Sequence, residues 1–245
     1  MQQNAWQVSR QELMMSIDQF SKGGAGQTKL KRQTLTQAVE SRLRSEIIQG
    51  VYEPGTMLSE PVLSSELGVS RSPVREALLI LERDGIVEFD ERGRTRVATM
   101  TAADFEDLYL LRLAVEPMVA VHAASQATSA DYAALEANMK AMQNTKTLAE
   151  ISLLDMEFHD LLVASSRRSR LIATWRSLRP SLELWLAALH RRHEQITGRV
   201  KEITIDSHQE LIDTLRSGDG ASIEKLMRGH IEGWYQWLPE MNELS

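Results

Sequence analysis

Asp155 and His159 stand four residues apart in LLDMEFHDLL, residues 153–162. On a helix they share one face, one turn apart. Two kinds of chemistry fit a carboxylate and an imidazole placed so. One is a hydrogen-bonded pair inside a core. The other is half of a first-row metal site, with oxygen from Asp155 and nitrogen from His159. The chain has six histidines. His208 in IDSHQELIDTL and His230 in LMRGHIEGWYQWL adjoin apolar helical neighbours, so both are expected to face an interior. His190 and His193, in ALHRRHEQ beside two arginines, read as an exposed helix end. His122 reads as structural. Arg112, in LRLAVEP, either meets a ligand carboxylate by a fork contact or pairs with Glu116 one turn on. The chain has no cysteine, which removes disulfides and thiolate metal sites.

A second set of candidate residues is basic. All six arginines between Val69 and Val97 fall in SRSPVREALLILERDG and the ERGRTR turn. Here the elements that hold them are legible. Leu35, Val39, Leu43 and Ile47 repeat at helical spacing, and GVYEPG breaks that helix. SEPVLSSELG carries a cap at Ser59, Pro61 in the first turn and Gly68 at the end. SPVREALLILERDG follows a short turn, with Ser72 as expected cap and Val74, Ala77, Leu78 and Leu81 as the buried stripe. Ile86–Asp90 and Thr95–Ala98 read as strands around a turn at Gly93. Helix, helix, tight turn, helix and hairpin make a winged helix-turn-helix, expected over residues 33–99. The stripe turns Arg75 away from the core, where it can reach guanine O6 and N7 in a major groove. Ser72 and the first-turn N–H groups suit a phosphate, and Arg92 and Arg94 around Gly93 suit a wing tip against DNA.

From Met100 strand signals disappear. Amphipathic helices are expected near 102–126 with an interruption at Pro117, then at 129–144, 147–165, 168–195, 199–216 and 221–238. That makes residues 100–245 an all-α bundle, and the fold class mainly α. Trp185, Trp234 and Trp237 read as packing residues. Residues 1–32 read as an extension: an amphipathic stretch from Arg10 to Phe20, then the linker SKGGAGQTKLKR. Residues 1–99 hold 13 Lys/Arg and 13 Asp/Glu, while residues 100–245 hold 15 and 21. The net charge of −6 therefore belongs to the helical part, and the DNA-binding case rests on arginine positions rather than bulk charge. No apolar run approaches the roughly 18–20 residues of a membrane span, and the N-terminus lacks a signal-peptide core. A cytoplasmic protein without a membrane partner is the expectation.

PGTMLSEPVLSSELGVSRSPVREALLILERDGIVE with RGRTRVA resembles the DNA-binding domain of the GntR family of bacterial transcription regulators, over about residues 34–99. DLYLLRLAVEPMVAVHAA and DMEFHDLL resemble the FadR-type ligand-sensing domain, often called FCD, over most of residues 101–238. The resemblance implies that Arg71, Ser72 and Arg75, with the wing at Arg92, Gly93 and Arg94, contact operator DNA. It also gathers Asp155, His159, His208 and His230 into one divalent-metal site, for zinc first, with nickel or manganese as alternatives. The implied function is a metabolite-responsive repressor that binds a near-palindromic operator as a homodimer and senses a small carboxylate at the metal and Arg112. A hydrolase-like enzyme is the competing class, since such a metal could activate water. Glu157, the nearby base, lies on another face of its helix, and no phosphate loop, nucleophile elbow or HExxH motif is present. A purely structural metal is the third reading.

Overall fold

The structure is a computed structural model and describes the backbone of residues 28–235 and the side chains of residues 35–235. The Arg10–Phe20 stretch, most of the linker, Trp237 and the end of the last helix lie outside the described residues. The chain divides into two compact units, one ending at Ala98 and one starting at Thr99.

In the first unit, helix α1 (Thr28–Ile48) is followed by strand β1 (Met57–Leu58), α2 (Glu60–Leu67), α3 (Arg71–Arg83), β2 (Val87–Phe89) and β3 (Thr95–Val97). Helix α1 begins at Thr28, inside the segment read as linker; after that threonine, KLKRQ consists of good helix formers. Val39, Leu43 and Ile47 of α1 are buried, as are Val74, Leu78 and Leu81 of α3, and the two helices pack together. Ser59 stands at the N-cap position of α2 without a side-chain hydrogen bond to the helix, and Gly68 closes the helix at φ 65°, a left-handed conformation that a side chain resists. The cap of α3 is Ser70, not Ser72. Pro73 still fits the first turn, where N–H groups have no partner within the helix. The sheet has the order β1–β3–β2, with Val87 opposite Val97 and Met57 opposite Arg96. β1 is an unforeseen third strand. Two residues are too few for an alternation to show.

The second unit is helical throughout its described residues: α4 (Ala102–Gln126), α5 (Ser129–Asn144), α6 (Leu148–Ser165), α7 (Ser169–Thr197), α8 (Val200–Ser217) and α9 (Gly220–Tyr235). Thr101 and Thr128 each form a reciprocal capping box with an aspartate three residues on. Helix α4 runs through Pro117 without the expected interruption. Pro117 is buried against the bundle, and packing compensates for the one hydrogen bond it cannot make. By length and mean hydropathy α4 also qualifies as a membrane span. It is, however, a packed helix of the bundle, in contact with α9, α6, α7 and α8, and it carries buried Arg112 and Glu116. Helix α6 is central, touching α4, α5, α7 and α8. Its two apolar sides explain why Asp155 and His159 sit in so hydrophobic a stretch.

Candidate metal centre and DNA-binding face

Asp155 and His159 project from α6 into the interior of the bundle, where both are buried. His208 arrives from α8 and His230 from α9. The nitrogens of His159, His208 and His230 lie within 4.8 Å of one another. His230 Nε2 is 3.3 Å from His159 Nε2. Asp155 Oδ1 stands beside the trio, 3.3 Å from His159 Nε2 and 3.6 Å from His208 Nε2. With metal–nitrogen bonds of about 2.0–2.1 Å, neighbouring ligands of a tetrahedral ion stand roughly 3.4 Å apart. Both Asp155 oxygens, both His208 nitrogens and His230 Nδ1 are buried without a hydrogen bond. Such groups are costly unless something satisfies them. A divalent cation fits this donor set.

Neighbours orient the ligands. Phe158 stacks on His208 at 4.0 Å. Glu116 Oε2 is 2.6 Å from His159 Nδ1, although not along the ideal hydrogen-bond direction, which leaves Nε2 facing the other imidazoles. Burial works against charge on His159, but Glu116 beside it and contacts from Asp155 outweigh that and raise its pKa to about 9. Burial, added to by His159 and Arg112, draws His208 down to about 3 and lowers His230 as well. Burial alone would raise Asp155, yet His208, His159 and His190 hold it well below the usual carboxylate range. Burial thus favours the neutral, metal-binding form of His208 and His230, whereas His159, beside Glu116, would have to release its proton to bind a cation.

Arg112 pairs with Glu116, the second of its two readings. Its Nε donates to Glu116 Oε1 and its Nη2 to Glu116 Oε2 at 3.3 Å, while Nη2 also lies 3.2 Å from His159 Nε2. The guanidinium sits over the Trp185 ring at 5.2 Å. Its Nη1 is buried and makes no hydrogen bond. Glu157 is exposed and accepts from Asn138 Nδ2, on a face of α6 away from the cluster.

The reading of His190 and His193 as an exposed helix end is corrected. Both are buried, because α7 continues to Thr197 and places them in its interior. The signal was present: Leu186, His190 and His193 continue the inward stripe at helical spacing. His190 Nδ1 is 2.9 Å from Ser152 Oγ, and its Nε2 is 3.3 Å from Asp155 Oδ2. His193 joins Ile203, Ser207, Gly229, His230, Gly233 and Trp234 around a half-open cleft of about 220 Å³. His122, half-buried, is 3.4 Å from Arg168 Nη2 and stands apart from the cluster.

In the first unit, Arg71, Ser72 and Arg75 are exposed on the first turns of α3, while Pro73 and Val74 face the core. Ser72 Oγ is 3.2 Å from Glu76 Oε1, and Glu76 accepts from Thr36 Oγ1 of α1 at 2.9 Å. At the wing, Asp90 Oδ1 accepts the backbone N–H groups of Arg92 and Arg94. Gly93 takes φ 71°. Arg94 is held by Asp90 at 2.7 Å and Arg96 by Glu88 at 2.9 Å, so two of the six arginines have partners within the wing.

These features coincide with known domains. The family described as bacterial regulatory proteins, gntR family, matches residues 35–97, and the FCD domain matches residues 107–233. This chain belongs to the GntR family. The gluconate operon transcriptional repressor of Bacillus licheniformis is 31% identical over 193 residues, 78% of this chain and 79% of that protein. The HTH-type transcriptional repressor RspR of Escherichia coli is 28% identical over 205 residues, covering 82% and 87%. Among solved structures, a GntR protein of Rhodococcus sp. RHA1 matches with a TM-score of 0.67 and 26% identity, over 83% of this chain and 97% of that one. The family is one of transcription regulators rather than enzymes, and this GntR-family chain is a DNA-binding transcription regulator with an FCD domain.

One stability consequence follows from the buried Arg112–Glu116 contact. Glu116→Gln leaves the guanidinium without its counter-charge and should cost about 3–5 kcal/mol. Urea denaturation monitored by circular dichroism measures it. An unchanged midpoint would show that Arg112 does not depend on Glu116.

Proposed function

We propose that this GntR-family protein is a cytoplasmic, metabolite-responsive repressor whose helical domain binds a small carboxylate at a divalent metal. The observation that carries this reading is the convergence of Asp155, His159, His208 and His230 from three helices, buried and largely without hydrogen bonds. These residues would hold the metal: zinc, or nickel or manganese. The metal would supply a Lewis-acidic position for a carboxylate oxygen. Arg112 Nη1 offers a charge-assisted donor to the same ligand, while Glu116 and Trp185 keep the guanidinium in place. The cleft beside His230 supports access from solvent. Its 220 Å³ equals the liquid volume of about seven waters, which suits a small organic or sugar acid.

DNA binding is assigned to Arg71, Ser72 and Arg75 at the start of α3 and to Arg92, Gly93 and Arg94 at the wing. The first turn of α3 and Ser72 would position a phosphate, and Arg75 would read a base edge. A homodimer would present two such helices to the half-sites of a near-palindrome. Leu110, Leu111 and Met118 form an exposed apolar stripe on α4, which suits a subunit contact. Ligand regulates such a dimer only by binding one geometry more tightly than another.

Three outcomes are expected. Elemental analysis of purified protein should find about one metal per chain, lost in the Asp155→Ala/His159→Ala double variant; no metal in either, even after divalent ions are added, would return the pair to a core contact. Arg75→Ala should weaken operator binding by about 1–3 kcal/mol and relax base preference in a gel-shift titration, and unchanged affinity would displace α3 as the reading helix. Gly229→Leu places a side chain where a Cβ meets nothing within 4 Å. It should keep metal content while slowing metal loss to excess EDTA; an unchanged rate would argue that the cleft is not the way in.

A further inference from the structure

His190 belongs to neither the ligand set nor the cleft. It is a buried imidazole whose two nitrogens face defined partners on α6, Ser152 at Nδ1 and Asp155 at Nε2. The two oxygens of Asp155 therefore look in different directions. Oδ1 faces His159 and His208, and Oδ2 faces His190. His190 itself lies outside the trio of imidazoles whose nitrogens approach within 4.8 Å of one another. We propose that His190, oriented by Ser152, is a positioning residue that holds Asp155 by Oδ2 and so presents Oδ1 alone to the metal. This rests on the metal reading above.

The hydrogen-bond inventory specifies the direction of this relay. Ser152 Oγ has one hydrogen and two neighbours, Leu148 O at 3.1 Å and His190 Nδ1 at 2.9 Å. If the hydrogen goes to Leu148, the ring of a neutral His190 carries its own on Nδ1. A bare Nε2 then meets the Asp155 carboxylate, lone pair against anion. If the serine donates to Nδ1 instead, Nε2–H faces Oδ2 and the contact is attractive. Leu148 O loses nothing, since the backbone N–H four residues on already bonds to it within α6. Of these two arrangements, the second avoids setting a lone pair against the carboxylate. Nε2 and Oδ2 stand 3.3 Å apart as a charge contact rather than a formed hydrogen bond, and both are otherwise without a partner. Trp234, tilted at 52° with its centroid 4.8 Å from that of His190, walls the ring in and keeps it on this face.

Holding one oxygen matters chemically. A carboxylate free to swing can take two positions on a cation. A carboxylate tethered at Oδ2 takes one and leaves the other for an incoming ligand. Outer hydrogen bonds of this kind orient metal ligands and change metal affinity by about 10–100-fold when removed.

The test is a Co2+ titration of the full-length protein and of His190→Ala, His190→Gln and Ser152→Ala, with affinity and visible absorption both recorded. Cobalt absorption responds to coordination number, which a bulk folding defect would not imitate. His190→Ala should bind Co2+ about 10–100-fold more weakly, with an altered spectrum. His190→Gln, whose amide N–H can reach Oδ2, should restore both. Ser152→Ala should shift them in the direction of His190→Ala, by less. Wild-type affinity and spectrum in His190→Ala overturn the proposal alone. So does a loss that glutamine fails to rescue, which would make His190 a ligand. No Co2+ uptake by the wild-type protein overturns it together with the metal reading.

Discussion

Two carboxylates, a guanidinium and four imidazoles are buried at the centre of a helical bundle, and the rest of the second unit is arranged around compensating them. Each such group loses several kcal/mol of hydration unless a partner replaces it. Glu116 meets Arg112 and His159, and Asp155 meets His159, His190 and His208. The partners arrive from α4, α6, α7, α8 and α9. Only α5 stands outside, and it braces α6 through Asn138, which donates to the Leu154 carbonyl and to Glu157. The helices are thus held in register by polar contacts as well as by the apolar core.

The compensation is uneven, and the unevenness is what supports the proposed metal site. Arg112 and Glu116 nearly satisfy each other, which makes that pair a structural anchor with one donor left over. Asp155, His208 and His230 are left with unsatisfied atoms. A bundle built for stability alone would fill such a centre with leucine. In the proposed reading a cation would supply what is missing, and its affinity would be coupled to the packing of three helices. Such coupling would suit a sensor, because a ligand at the centre would be felt by every helix that contributes a side chain.

The first unit follows the opposite rule. Its apolar core is small and complete, from Val39 and Leu43 to Leu78 and Leu81, and its chemistry faces outward. Arg71, Arg75 and Arg92 are exposed. The Asp90 carboxylate shapes the wing by accepting two backbone N–H groups, and it also restrains the Arg94 side chain.

Much of this was legible from residue order. Caps, breakers and a 3.6-residue stripe are local signals, so α2, α3 and the wing could be read directly, and Asp155 and His159 could be placed on one face of one helix. The family resemblance then supplied His208 and His230. What spacing alone does not decide is which faces of different helices meet. His190 and His193 looked exposed beside two arginines, yet the length of α7 and its packing turned them inward. Pro117 looked like a break, yet burial against the bundle carried α4 through it. Arg112 had two readings; the interior shows the pair with Glu116 and leaves Nη1 without a hydrogen bond. Local periodicity assigns a residue to a face. Only the burial of that face against others, where the cost of an unpaired charge is high, determines its partner.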